Sequence, residues 1–230
     1  MIPQLNKYNL DFPPVESANE EGIVAWGADL NPTRLYRAYQ NGIFPWYGKD
    51  EPILWWSPDP RFILELNEFK LSKSLKKSMK KFTYKFDYNF QEVIKQCSLA
   101  PREGQNGTWL QQEMIEAYIE LHNLNLAHSV ETYYKGKLVG GLYGVSVGTI
   151  FCGESMFSYK SDASKAALAV LVAHLKQWNF SLIDAQVPTQ HLHSLGAKEI
   201  PRKQYIKRLE KAKKEFNKIQ WQINHEIIFT

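Results

Sequence analysis

Between residues 127 and 187 the hydrophobic period of this chain runs at two, then at 3.6, then at two again, and few folds accommodate that order. Ala127–Tyr134 alternates, Lys135-Gly136-Lys137 supplies a turn, residues 138–147 alternate again, and Val147-Gly148 turns into a third run at 149–154. Tight turns join antiparallel neighbours, so the three runs predict a meander. Residues 161–177 set Ala, Leu and Val at helical spacing behind Ser161 and Asp162 as candidate caps. A strand is expected at 180–187, and the long helix before it lets it return parallel to the third strand of the meander. With a basic helix at 202–216, the second half reads βββαβα. That is an α+β layer fold with a mixed sheet.

The first 65 residues have a different texture, rich in Pro, Gly and Trp. Pro32 behind Asn31, with Leu35, Tyr36, Ala38 and Tyr39 at helical spacing, predicts a capped helix that stops at Asn41-Gly42. The stretch from 43 to 60 holds so much Pro that irregular structure is expected. The chain therefore divides into a small N-terminal domain, 1–65, and a larger domain, 66–230. The larger one begins with a lysine-rich segment. Lys73, Lys77 and Lys80 share one helical face there, and Leu71, Leu75 and Met79 share another. Further helices are expected from Asn89 through Cys97 and from Trp109 to about Asn123.

Composition excludes several classes of function. Hydrophobic residues make up 44% and charged residues 23%, as in an ordinary globular chain. No apolar run is long enough for a membrane span, and Met1 to Phe12 lacks the pattern of a signal peptide. Two cysteines, Cys97 and Cys152, are too few for a disulfide framework and point to free thiols in a reducing compartment. Cys152, between apolar neighbours on a strand, reads as a small buried hydrophobe. The net charge of +4 permits a nucleic-acid partner without requiring one. No P-loop, GxGxxG, HExxH or nucleophile-elbow motif is present, and His191-x-His193, in an expected loop, is weak grounds for a metal.

Three polar groups attract attention. Asp184 and Gln186 fall on one face of the 180–187 strand, late in a row begun by Phe180 and Leu182. Glu154 ends the neighbouring strand. Ligand sites favour the carboxyl ends of parallel strands, so the three can converge at one rim, either as a site or as a satisfied polar edge. The lysine face is a phosphate-contacting surface or simply a solvated one. Trp46, Trp55, Trp56 and Trp109 stack a base, line an apolar pocket, or pack the junction between the two halves.

Seven motifs then stand in order: Gly42-Ile-Phe-Pro-Trp46, Leu54-Trp-Trp-Ser-Pro-Asp-Pro-Arg61, Gly107-Thr-Trp109, Ala127-His-Ser-Val-Glu131, Gly140-Gly-Leu-Tyr-Gly-Val145, Gly153-Glu-Ser-Met-Phe-Ser158 and Ser194-Leu-Gly-Ala197. Together they resemble the leucyl/phenylalanyl-tRNA–protein transferases, over most of the chain. The resemblance implies a GNAT-like (acetyltransferase-like) fold for the C-terminal domain and a monomeric, cytoplasmic bacterial enzyme without membrane association. It implies transfer of Leu or Phe, less well Met, from aminoacyl-tRNA to proteins that begin with Arg or Lys, marking them for N-degron degradation. Residue by residue, it implies that Trp46, Trp109, Leu142 and Phe151 hold the donor side chain and terminal adenosine, and that Glu154 faces the cationic acceptor. Lys73, Lys77 and Lys80 would meet the tRNA body. Asp184 and Gln186 match the catalytic pair, with the Gln186 carbonyl accepting from the attacking amine and Asp184 holding the Gln186 NH2 and stabilising the developing positive charge; the alternatives are that Asp184 acts through water or that the ribose hydroxyl shuttles the proton. No metal, ATP or other cofactor is implied, because the donor ester is already activated. The rival readings are a CoA-dependent acetyltransferase, disfavoured because Ser158-Tyr-Lys-Ser-Asp162 replaces an acetyl-CoA loop, and a non-catalytic RNA-binding module, which would not need the ordered polar trio.

Overall fold

The side chain of Asn31 accepts the Thr33 N–H, and Pro32 opens helix α1 (Pro32–Gln40) where its missing N–H costs nothing. The helix stops at Gly42, whose φ of +73° suits glycine. The computed structural model describes residues 1–100, 110–215 and 219–228. Around α1, strands β1 (Gln4–Leu5), β2 (Ile23–Gly27), β3 (Phe44–Pro45) and β4 (Leu54–Trp56) form a four-stranded sheet in the order β1-β2-β4-β3. The region expected to be irregular thus contains two short strands. Pro45 is tolerated because β3 is an edge, where no second ladder needs its N–H.

Seven further strands form the main sheet: β5 (Arg61–Glu65), β6 (Thr83–Phe86), β7 (Ala127–Tyr134), β8 (Lys137–Val147), β9 (Ile150–Ser158), β10 (Leu182–Gln186) and β11 (Lys198–Ile200). Their order is β11-β5-β10-β9-β8-β7-β6. β7, β8 and β9 are the expected antiparallel meander, and β10 runs parallel to β9. β5, on the N-terminal side of residue 65, lies between β10 and β11 in this sheet.

The helices complete the layers: α2 (Lys73–Met79), α3 (Phe90–Leu99), α4 (Gln112–Asn123), α5 (Ala163–Gln177), α6 (Gln190–Ser194) and α7 (Arg202–Ala212). His191 and His193 sit on α6, not in a loop. α4 begins three residues after Trp109, which lies outside the described residues, and the basic helix ends at Ala212. Asp162 occupies the N-cap of α5 with φ +68°, yet its side chain makes no cap bond and instead accepts from Ser78 Oγ at 2.7 Å. One face of the sheet buries side chains of α1, α3, α4 and α7 together with Trp55 of β4. The other face packs on α2, α5 and a C-terminal tail that ends a mixed ring cluster with Trp221. No described helix is long and apolar enough to cross a membrane.

Candidate active site

The ladder between β9 and β10 breaks just where polar side chains appear. Pairing runs from Leu182–Ile150 to Asp184–Cys152 and stops. On β9, Glu154 is the extra residue of a bulge, because Gly144 of β8 faces Gly153 while Tyr143 faces Ser155. β9 itself continues to Ser158, so Glu154 lies within the strand rather than at its end. Gly144 is required here, since a Cβ at that position would sit 2.2 Å from the Cys152 carbonyl oxygen. On β10 the chain closes a γ-turn, with Val187 N–H donating to the Ala185 carbonyl at 2.8 Å and Gln186 at φ +64°. Left-handed backbone at a non-glycine residue is strained, and it persists where surrounding contacts hold it. Here Asp184 Oδ1 accepts the Gln186 N–H at 3.0 Å.

Below this break lies a cavity of about 620 Å3. Its apolar walls come from β8, β9 and β10 through Leu142, Phe151, Met156 and Ile183, from α5 through Leu168 and Leu171, and from α6 through Leu192. The N-terminal sheet contributes Phe44, Pro45 and Trp46. Trp46 is half-buried, and its carbonyl accepts from Trp56 Nε1 at 2.6 Å. Glu154 and Gln186 are the hydrogen-bonded polar pair in the lining, with Gln186 Nε2 donating to Glu154 Oε1 at 2.6 Å.

Glu154 is held from two sides. Tyr118 of α4 donates to its Oε2 at 2.9 Å, and the Tyr39 hydroxyl of α1 lies 2.5 Å from that of Tyr118. Burial pushes both phenols well above their ordinary pKa, as does the nearby carboxylate, so they remain O–H donors. Burial also lifts the Glu154 carboxyl from 4.5 to about 7, against the opposing hydrogen bonds from Tyr39, Tyr118 and Gln186. The group therefore changes charge near neutrality. With its amide nitrogen committed to Glu154, Gln186 keeps its carbonyl oxygen as the acceptor for a ligand.

Asp184 is arranged differently from the expectation. It is fully buried and does not line the cavity. Arg61 donates to both its oxygens, Nε to Oδ1 at 2.8 Å and an Nη to Oδ2 at 2.7 Å, and Tyr205 of α7 adds a bond at 2.8 Å. Glu154, not Asp184, holds the Gln186 NH2. The reason is geometric: the γ-turn aims the Gln186 side chain towards β9 and leaves only its backbone N–H for Asp184. Arg61 already neutralises Asp184, which argues against a role for this carboxylate in balancing charge on a substrate. Phe180 also departs from the expected row. It precedes β10 and packs on the α5 side, whereas Leu182 packs on the other.

Of the sequence-derived candidates, Trp46, Leu142, Phe151, Glu154 and Gln186 meet in one cavity. Lys73 and Lys77 lie exposed on α2, and Lys80 is exposed at its C-cap. Trp55 is a core residue, donating Nε1–H to the Gly27 carbonyl at 3.0 Å. Sequence reasoning missed Arg61, Tyr39, Tyr118 and Tyr205. The two tyrosines on α1 and α4 look like ordinary members of apolar helix faces, and only Arg61 carries a hint, as the last residue of the Leu54–Arg61 motif.

Residues 28–59 match the family described as Leucyl/phenylalanyl-tRNA protein transferase N-terminal domain, and residues 63–210 match the family described as Leucyl/phenylalanyl-tRNA protein transferase. A leucyl/phenylalanyl-tRNA–protein transferase of Sulfurimonas denitrificans is 60% identical over 225 residues, covering 98% of this chain and 99% of its own. One from Flavobacterium johnsoniae is 52% identical over 200 residues, covering 86% and 94%. Among solved structures, a GCN5-related N-acetyltransferase-like protein from Streptococcus suis superposes with a TM-score of 0.33 at 15% identity, over 60% of this chain and 57% of that one.

Proposed function

The chain belongs to the leucyl/phenylalanyl-tRNA–protein transferase family of aminoacyltransferases, and from that premise we propose that it moves Leu or Phe, and less readily Met, from aminoacyl-tRNA to proteins beginning with Arg or Lys. The observation that carries this reading is the single cavity that joins apolar walls to the Glu154–Gln186 pair. Leu142, Phe151, Met156 and Leu168 suit an unbranched-at-Cβ apolar side chain, whose burial is worth about 1.5–3 kcal/mol. Trp46 offers a ring face to the terminal adenosine, and the family resemblance assigns Trp109 to the same task. Glu154 attracts a cationic acceptor side chain, and that charge in turn favours its ionised form.

The chemistry is aminolysis of an ester. The acceptor α-amine attacks the ester carbonyl carbon, the C–N bond forms, and the terminal ribose oxygen leaves with a proton. A free α-amine has a pKa near ~7.7–8.0, so a useful fraction is neutral at cytoplasmic pH. Gln186 accepts a hydrogen bond from the attacking N–H through its carbonyl oxygen, which orients the nitrogen lone pair. Glu154 fixes that amide, and Asp184 acts as a positioning residue by holding the Gln186 backbone. The ester supplies the driving force. The product then enters the N-degron route of the cytoplasm, and Lys73, Lys77 and Lys80 engage the tRNA body.

The test is a transfer assay with radiolabelled Leu-tRNA or Phe-tRNA and matched acceptors beginning with Arg, Lys or Asp, without ATP. Label is expected in the Arg and Lys acceptors alone. Label in the Asp acceptor, or none with charged tRNA intact, would overturn the proposal.

A further inference from the structure

A second cavity, of about 340 Å3, borders the same two helices as the first. α5 presents Leu168 to the first cavity and Lys165 to the second, about 4.5 Å apart along the helix axis. α6 presents Leu192 to the first and Ser194 to the second. Burial and, after it, the charge of Lys165 hold the His191 imidazole below its ordinary pKa, which reflects the same closeness. The two cavities differ in chemistry. Lys70, Lys165 and one hydroxyl of the hydrogen-bonded Ser72–Ser74 pair bring donors to the second, beside the carboxylate of Asp162, whereas the Ser194 hydroxyl donates to the His191 carbonyl at 2.6 Å. Neither lysine makes an ion pair among the described residues, and Asp162 is engaged by Ser78 Oγ at 2.7 Å. Two ammonium groups against one carboxylate leave the cavity net positive. From it, the segment through Ser72 and Ser74 leads directly onto the lysine face of α2.

We propose that this second cavity is a phosphodiester subsite, taking the phosphate that links the donor's terminal adenosine to the nucleotide before it. The inference rests on the function proposed above. A donor whose aminoacyl-adenosine fills the first cavity has to send its 5′ chain outward. The cavity next along α5 and α6 offers that chain the lysine and hydroxyl donors that nucleic-acid backbones use. The subsite would then set the register of the single-stranded end, while α2 meets the tRNA beyond it.

The experiment uses cytidylyl-adenosine and its neutral methylphosphonate analogue as inhibitors of transfer from intact Leu-tRNA. They differ only in the charge at the linking phosphorus. The charged form is expected to inhibit about tenfold better, the scale of a hydrogen bond to a charged group. In Lys165→Gln and Lys70→Gln/Lys165→Gln the ratio should fall towards one, and Lys165→Arg should restore it. A ratio near one in the unaltered protein overturns the subsite. So does a ratio that survives the double substitution, or one lost instead on replacing Lys73, Lys77 and Lys80. Failure of transfer from intact Leu-tRNA counts against the function itself and removes the subsite with it, whereas normal transfer with a ratio near one overturns the subsite alone.

Discussion

At the scale of single residues, Glu154 carries the sharpest consequence. Its carboxyl is lifted from 4.5 to about 7, so the folded chain retains a proton that the unfolded chain releases. Folding stability contributed by this group is therefore present below pH 4.5 and is lost as pH rises to about 7. A Glu154→Gln variant removes that dependence. Its stability relative to the unaltered protein should improve steadily across this window, as read by urea denaturation at several pH values. Affinity should behave oppositely. Binding of an N-terminal Arg peptide should strengthen through neutrality in the unaltered protein and be weak and flat in the variant, with a loss of about tenfold or more at the alkaline end. Equal binding by the two proteins would assign charge recognition to another group. The sequence placed Glu154 near Gln186, but not the two tyrosines that hold it. Tyr39 and Tyr118 lie 79 positions apart, and nothing local distinguishes them from core tyrosines.

At the scale of elements, α2 shows how much a short helix can be read from spacing. Ser72 caps it by accepting the Leu75 N–H at 3.1 Å, Leu75 and Met79 are buried, and the lysines face outward. Replacing Lys73, Lys77 and Lys80 with Ala should leave that packing intact. The variant should bind aminoacyl-tRNA more weakly, with the slope of log affinity against log salt reduced by about 1 for each phosphate no longer engaged. Transfer from a minimal aminoacyl-adenosine should be spared, and equal impairment with both donors would rule out a role in binding the tRNA body. The meander, α5 and β10 were equally legible, because two hydrophobic periods separate them. Less legible were β3 and β4. Two and three residues give no period to detect, and their pairing depends on strands elsewhere in the chain.

At the scale of the whole molecule, Arg61 and Asp184 join parts that sequence treats as separate. Arg61 donates to Asp184 on β10 and to the Gly42 carbonyl at 3.2 Å, and its guanidinium lies over the rings of Phe44 and Tyr205. The pair thus links the end of α1, β3, β5, β10 and α7 beneath the cavity. Breaking a buried pair leaves an uncompensated charge, so Asp184→Ala should cost about 3–5 kcal/mol in urea unfolding. The double variant Arg61→Met/Asp184→Leu should recover most of it. A loss below about 1 kcal/mol would mean that the pair does not hold these elements together. The tail adds a second long-range tie. Trp221 stacks on His128 with ring centroids 3.8 Å apart and lies 5.9 Å from Phe151, so a segment after the family-matched region backs one wall of the cavity.

Local sequence by itself determined the meander, α5, β10 and the final basic helix, the capped start of α1 and the lysine face, and with the family motifs it named five residues of the cavity, Trp46, Leu142, Phe151, Glu154 and Gln186, while the short α6 and β11 between β10 and α7 left no readable period. Periodicity, capping and turn chemistry act over a few residues, so they survive without tertiary context. Tertiary structure alone decided what the polar groups do. Asp184 looked like a partner for the Gln186 amide because the two are neighbours on one strand. The fold instead brings Arg61 to it from 123 positions away and turns Gln186 towards Glu154. Whether a buried carboxylate is neutralised, hydrogen-bonded or left to titrate depends on which side chains the packing delivers to it, and that is a property of the assembled sheet and its helices.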